Sequence, residues 1–264
     1  MKTKANYHTH HYLCGHANGG AEDYVLQALK HGYKEIGISD HGPLPVTPPF
    51  ARMTYEEFEN IYLKDIEDTI TKYGDKIKIL KSLEMEYVFG HDDFYKELLT
   101  KVDYLILAGH YRSGDAEVMK LKSTFHTKTE EDLLEYTNLL IKAMNTGCFK
   151  ILAHPDIFIA SYGKFDEFAI SCVKRIVQAA IDNDVALEFN CEGIRRGKLF
   201  CREDGEFDYQ YPNRYFWEIV SSMNAKVVID SDCHEPEKFA DEAIDTAIEL
   251  TTKYKLNVIE TLIL

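Results

Sequence analysis

The chain has 264 residues, 45% of them hydrophobic and 28% charged, with a formal net charge of −14 at pH 7. That length can bury a substantial core; the acidity excludes a nonspecific grip on a nucleic-acid backbone, which needs a basic surface, but not an anionic substrate, because bound divalent cations reverse the local field. No apolar run approaches the ~20 residues of a membrane span, the start MKTKANYH lacks the apolar stretch of a signal peptide, and no pair among Cys14, Cys148, Cys172, Cys191, Cys201 and Cys233 forms C-x-x-C, so a cytoplasmic protein with free thiols is expected.

Strand and helix signals alternate along the chain. Strands are expected at 6–10, 35–39, 77–86, 104–108, 151–153, 186–190 and 226–231. Several are short, continuous apolar runs such as KEIGIS and YLILAG, the signature of strands covered on both faces in a parallel sheet. Helices are expected between them. One runs over 21–31 and stops at Gly32. Thr54 and Glu57 make a capping-box pattern before a stretch ending near Gly74. Thr129 and Asp132 open another that stops at Gly147; 166–183 and 212–223 follow, and Pro236 sits where a first-turn proline opens a last helix to about Tyr254. Seven such units without linker, repeat or low-complexity tract predict one α/β domain over 1–264, either a β/α barrel or an open doubly wound sheet. Two irregular stretches, 111–127 and 191–211, follow the fourth and sixth strands, at the end where such folds place their sites.

Nearly every strand carries a polar, metal-binding type of residue at that same end. The first ends in HTH, where alternation points His8 and His10 to one side, about 7 Å apart, and His11 to the other. His16 follows in the loop. The second ends in Asp40 and His41, the third in Glu84 and Glu86, and the fourth in His110. The fifth ends in His154 and Asp156, the sixth in Glu188 and Asn190, and the seventh in Asp232 and His234. His31, His91 and His126 fall outside this pattern and are expected at the surface. Cys14 and Cys233 stand near the histidines, within reach of a metal there.

The motifs HTH at 8–10, DH at 40–41, SLE at 82–84, GH at 109–110, AHPD at 153–156 and SDCH at 231–234, with His16, resemble those of the polymerase and histidinol phosphatase (PHP) family. The resemblance runs from residue 8 to 234. It implies a distorted (β/α)7 TIM-like barrel with up to three divalent metals. Matched by motif, His8, His10, Glu84 and Asp232 would hold the first; Glu84, His110 and His154 the second, with Glu84 bridging; and His16, His41 and His234 the third. Glu86 shares a strand face with Glu84, so alternation cannot choose between them; the resemblance favours Glu84, because the family's glutamate follows a small-apolar dipeptide. Imidazole-rich sites with carboxylates suit zinc, iron or manganese. Asp40 and Asp156 adjoin these histidines as orienting partners or as turn caps.

A paired metal site lowers the pKa of a bridging water toward about 7, giving a hydroxide for in-line attack on phosphorus. Asp232 and His234 are the catalytic candidates, Asp232 first for proton transfer. Arg112, Arg195 and Arg196, in the loops after strands four and six, are candidates to hold phosphate in bidentate fashion; Arg52 is a fourth. Within the family, the length and the lack of extra domains look most like the stand-alone histidinol-phosphatase branch, implying hydrolysis of L-histidinol phosphate in histidine biosynthesis. Glu192, Glu203 and Asp204 offer acidic groups for its amine or imidazole. The alternatives are a related phosphoesterase on a nucleotide, a nucleic-acid end or phosphotyrosine, and a metal-loaded module without turnover. No nucleic-acid or membrane partner is expected.

Overall fold

The computed structural model describes residues 3–46, 52–117, 119–201 and 205–264. In chain order the strands are β1 (Ala5–Asn6), β2 (Glu35–Ile38), β3 (Lys78–Met85), β4 (Tyr104–Leu107), β5 (Ile151–Leu152), β6 (Ala186–Asn190), β7 (Phe200–Cys201), β8 (Phe207–Asp208), β9 (Lys226–Asp230) and β10 (Asn257–Val258). The α-helices are α1 (Ala21–His31), α2 (Tyr55–Glu57), α3 (Leu63–Tyr73), α4 (Asp92–Leu98), α5 (Glu130–Met144), α6 (Ile159–Tyr162), α7 (Glu167–Asp182), α8 (Cys191–Arg195), α9 (Arg214–Met223) and α10 (Glu242–Lys253). Among the described residues no helix is long and apolar enough to cross a membrane.

Local chemistry explains the boundaries. Gly32 ends α1 in the left-handed region, at φ 79, where its N–H reaches back to the last turn. Thr54 and Glu57 cap each other's backbone at the start of α2, as do Thr129 and Asp132 at α5. The helix expected over 54–74 passes through a π-turn at Phe58–Tyr62 between α2 and α3. Pro236 opens only a 3-10 turn, Pro236–Lys238; α10 starts later, where Asp241 accepts the N–H of Ala243.

The sheet runs β1-β2-β3-β4-β5-β6-β9-β10, with every neighbouring pair parallel. It curls into a distorted TIM-like barrel. β1 and β9 share no regular ladder; they meet at a seam. Asp230 Oδ1 accepts the Tyr7 N–H at 2.6 Å. Beyond the strand ends the backbone bridges directly, the Asp232 N–H to the His8 carbonyl at 2.9 Å and the His10 N–H to the Cys233 carbonyl at 3.1 Å. At the opposite end β10, which its two-residue length hides from any periodicity, adds itself to the start of β9.

The larger core lies between the strands and the helices. A smaller one lies among inward side chains near the strand starts and includes Leu80, Tyr104, Ile106, Ile151, Ala186 and Val228. Because side chains alternate, the same inward face continues as Ser82 and Glu84 on β3 with Glu86 just past it, as Glu188 and Asn190 on β6, and as Asp230 at the end of β9 with Asp232 just past it. All of these are buried. The stretch 191–211 is not irregular as expected: it contains α8 and the antiparallel hairpin β7–β8.

Candidate metal centre

The inward faces bring the expected donors to one end of the barrel. Glu84 stands in the middle. His41, just past β2, bridges the backbone of Glu84 and so lies beside it. Glu84 Oε2 is 2.7 Å from His41 Nδ1, 3.6 Å from His8 Nε2 and 3.9 Å from His10 Nε2. Glu84 Oε1 faces the other way, 3.1 Å from His154 Nε2 and 3.7 Å from His110 Nε2. Asp232 Oδ1 closes the first set, 2.9 Å from His10 Nε2 and 3.5 Å from His8 Nε2. His16 and His234 complete the rim, their ring centres 4.9 Å apart and 5.2 and 6.5 Å from that of His41. His234 also stacks on His10 at 3.9 Å.

This donor set fits divalent cations. His8, His10 and Glu84 each offer an atom within 4.8 Å of the others, as do Glu84, His110 and His154, and as do His10, His41 and His234. Glu84 Oε2 and His8 Nε2 are buried without a hydrogen-bond partner among the described residues. Orphaned lone pairs that face each other are otherwise costly. A carboxylate with one oxygen toward each of two such groups is the geometry that bridges paired ions, and imidazole–carboxylate chemistry suits transition metals.

A layer of carboxylates stands behind the rings. His8 Nδ1 lies 2.6 Å from Glu188, His10 Nδ1 3.2 Å from Asp40, and His110 Nδ1 2.7 Å from Glu86. Alternation left Glu84 and Glu86 equivalent; depth along β3 separates them, Glu84 among the rings and Glu86 behind one of them. Asp156 does not orient a histidine. Its Oδ2 accepts the N–H of Asn213 at 2.6 Å and the Trp217 indole N–H at 3.0 Å, so it anchors α9, and burial pushes its carboxyl up to about 7. His11, pointing away from the cluster as alternation requires, is buried against Asp65. Cys233 is buried in the larger core. Cys14 lies close to His10 and Asp40.

Charge follows this packing. Burial works against protonating His8, but Asp232, Glu188 and Glu84 outweigh it and hold its pKa well above the imidazole range. Burial would likewise raise Glu84 and Asp232; the surrounding histidines hold both well below the carboxylate range. Burial and then His10 push His234 down to about 3. Protons and cations compete for the same imidazole lone pairs, so ion binding here releases protons.

A cavity of about 230 Å³ opens over the cluster, lined by His16, His41, His110, His154, Asp232 and His234 together with Phe125, Glu192, Arg196 and Tyr211. Of the three expected arginines, only Arg196 reaches it. Arg112 is turned away to Asp132 at 2.8 Å and Glu135 at 3.5 Å, tying the loop after β4 to α5. Arg195 grips Asp241 and the carbonyls of Ser231 and Lys238, tying α8 to the loop after β9. Neither lines the cavity, because acids from distant elements neutralise both. Arg52 lies 3.4 Å from Glu86. Glu203 and Asp204 fall outside the described residues. Phe125, unforeseen from the sequence, is carried over His110 where the Thr124 N–H donates to the His110 carbonyl; the two rings stack at 6.4 Å. Glu188 was also unassigned, and its signal was a lone acid inside the apolar run ALEFN.

A family model, that of the PHP domain, matches residues 6–192. The chain belongs to the PHP domain family. This PHP-domain chain is 28% identical to the histidinol-phosphatase of Bacillus subtilis over 73% of its own length and 82% of the relative's. It is 23% identical to a probable histidinol-phosphatase of Deinococcus radiodurans over 92% of its own length and 91% of that protein's. Its fold is similar to the crystal structure of histidinol phosphate phosphatase from Lactococcus lactis complexed with Zn, L-histidinol and phosphate, with a TM-score of 0.72 and 22% identity, covering 98% of this chain and 96% of that one.

Proposed function

We propose that this chain is a cytoplasmic, single-domain phosphomonoesterase that hydrolyses L-histidinol phosphate to L-histidinol and phosphate. The observation that carries the reading is the placement of Glu84, one oxygen toward His8 and His10 and the other toward His110 and His154, beneath a cavity that holds Arg196. The likeness to histidinol phosphatases supports the substrate, and five free cysteines among the described residues suit a reducing compartment.

In this reading His8, His10, Glu84 and Asp232 hold one divalent ion, Glu84, His110 and His154 a second, and His16, His41 and His234 a third. When bound, such ions supply an acidified water and neutralise charge on the phosphoryl oxygens. The chain's own groups do the rest. Arg196, 47% exposed at the cavity wall, orients the phosphate. Asp232, 2.9 Å from His10 Nε2 and lining the cavity, accepts a proton from the attacking water and returns it to the leaving alkoxide oxygen as the P–O bond breaks. Glu192, beside Arg196, receives the cationic end of the substrate.

Phosphate release from histidinol phosphate, a nucleotide, phosphotyrosine and a bis-ester, each with added zinc, manganese or iron, tests this. Rapid release from histidinol phosphate with little bis-ester cleavage is expected. Preference for another substrate overturns the substrate assignment, and no turnover with any metal overturns the enzyme reading.

A further inference from the structure

Two residues of the candidate centre, His154 and Asp232, have left-handed backbones, at φ 30 and 46. Residues with a side chain adopt that region rarely and only where surrounding bonds over-determine it. The His8 carbonyl accepts the Asp232 N–H, and both residues are also bonded from the end of one strand, β6. Glu188, fully buried, accepts the backbone N–H of His154 on Oε2 at 2.9 Å. The same oxygen accepts an amide hydrogen of Asn190 at 2.8 Å. The other amide hydrogen of Asn190 goes to Asp232 Oδ2 at 2.9 Å. Glu188 Oε1 takes the Nδ1–H of His8 at 2.6 Å.

Donor and acceptor counting makes this arrangement directional. A carboxylate only accepts, so His8 must carry its proton on Nδ1 and turn Nε2 toward Glu84 and Asp232. The amide of Asn190 cannot flip, because its oxygen accepts the N–H groups of Glu192 and Gly193 at the start of α8. We propose that Glu188 and Asn190 are a positioning pair that presets His8, His154 and Asp232 for cation binding. The pair touches neither substrate nor reacting atoms. The proposal rests on the reading of the barrel mouth as a cation centre and is independent of which phosphate ester is cleaved.

The test is calorimetric titration of the metal-stripped full-length protein with manganese, together with the visible absorption spectrum of the cobalt-loaded protein. Glu188→Gln puts an amide donor where three donors converge. Asn190→Asp keeps an oxygen to cap α8 but loses the hydrogen held by Asp232. For each variant we expect manganese binding weakened about 10- to 100-fold, an altered cobalt spectrum, and a melting temperature of the stripped protein within a few degrees of wild type. A turnover loss accompanied by affinity and spectrum like wild type would overturn the positioning role while leaving the centre intact. If Glu188→Gln does not fold, Asn190→Asp decides alone. A wild-type protein that binds no manganese or cobalt overturns the centre itself, and the pair with it.

Discussion

Where the strands begin, the inward face of the barrel carries Leu80, Tyr104, Ile151, Ala186 and Val228, with Leu262 from the chain's last segment packed against the same cluster. A few residues further along the same strands, the same face carries Glu84, Glu188, Asn190 and Asp232, ringed by histidines. One end is apolar and self-satisfied. The other holds buried carboxylates, a ring of imidazoles and two left-handed residues, each such backbone costing about 1–3 kcal/mol. The difference teaches that stability and chemistry are divided along the length of each strand: the apolar end can carry a strained, polar end that would not hold itself together.

The contrast breaks most visibly at Glu84. Glu84→Gln removes the shared oxygen pair, and we expect turnover to fall about 1000-fold or more with elemental analysis showing lost metal. The fold should survive, because that end contributes little to it. Leu80→Ala is the converse. Its cavity should cost about 2–5 kcal/mol in urea denaturation, with kcat per folded molecule and metal content unchanged. Equal damage to activity from both variants would dissolve the distinction between the ends.

Arg196→Ala sharpens the picture within the polar end. Loss of one charge-assisted contact, about 1.5–3 kcal/mol, should raise KM about 10- to 100-fold while metal content stays constant. Arg112→Ala, which breaks the ties to Asp132, Glu135 and the Ser123 carbonyl, should leave KM alone. The smallest effect is expected outside the barrel. Asp65 accepts from His11 and from the first N–H of α1 at 2.7 Å, and the His11 contact chiefly lowers its carboxyl pKa. Asp65→Asn should cost about 1 kcal/mol at pH 7. Because the folded pKa is the lower one, this contribution is full above the unfolded value of about 3.9 and vanishes as pH falls through the folded value. Denaturation at pH 7 and pH 3 should therefore show the gap between wild type and variant closing.

How much of this was legible depends on what alternation can see. It placed His8 and His10 together and His11 apart, because facing is decided within three residues. Strand-end positions gathered His41, His110, His154, Asp232 and His234 for the same reason. Alternation could not separate Glu84 from Glu86, since both face inward and only depth along β3 differs. Nor could it sort Arg196 from Arg112 and Arg195: the acids that neutralise the latter two, Asp132, Glu135 and Asp241, lie on α5 and at the start of α10. β10 was invisible at two residues, and α8 was masked by Gly193, a poor helix former. That glycine is required there, because a Cβ would fall 1.9 Å from the Tyr211 carbonyl oxygen.

The central claim is that Glu84 stands between two ion sites at the barrel mouth. An anomalous difference map from crystals of the manganese-loaded protein tests it most directly. Peaks on both sides of Glu84, one against His8 and His10 and one against His110 and His154, are the predicted result; a fully soaked crystal with no peak near Glu84 would contradict it.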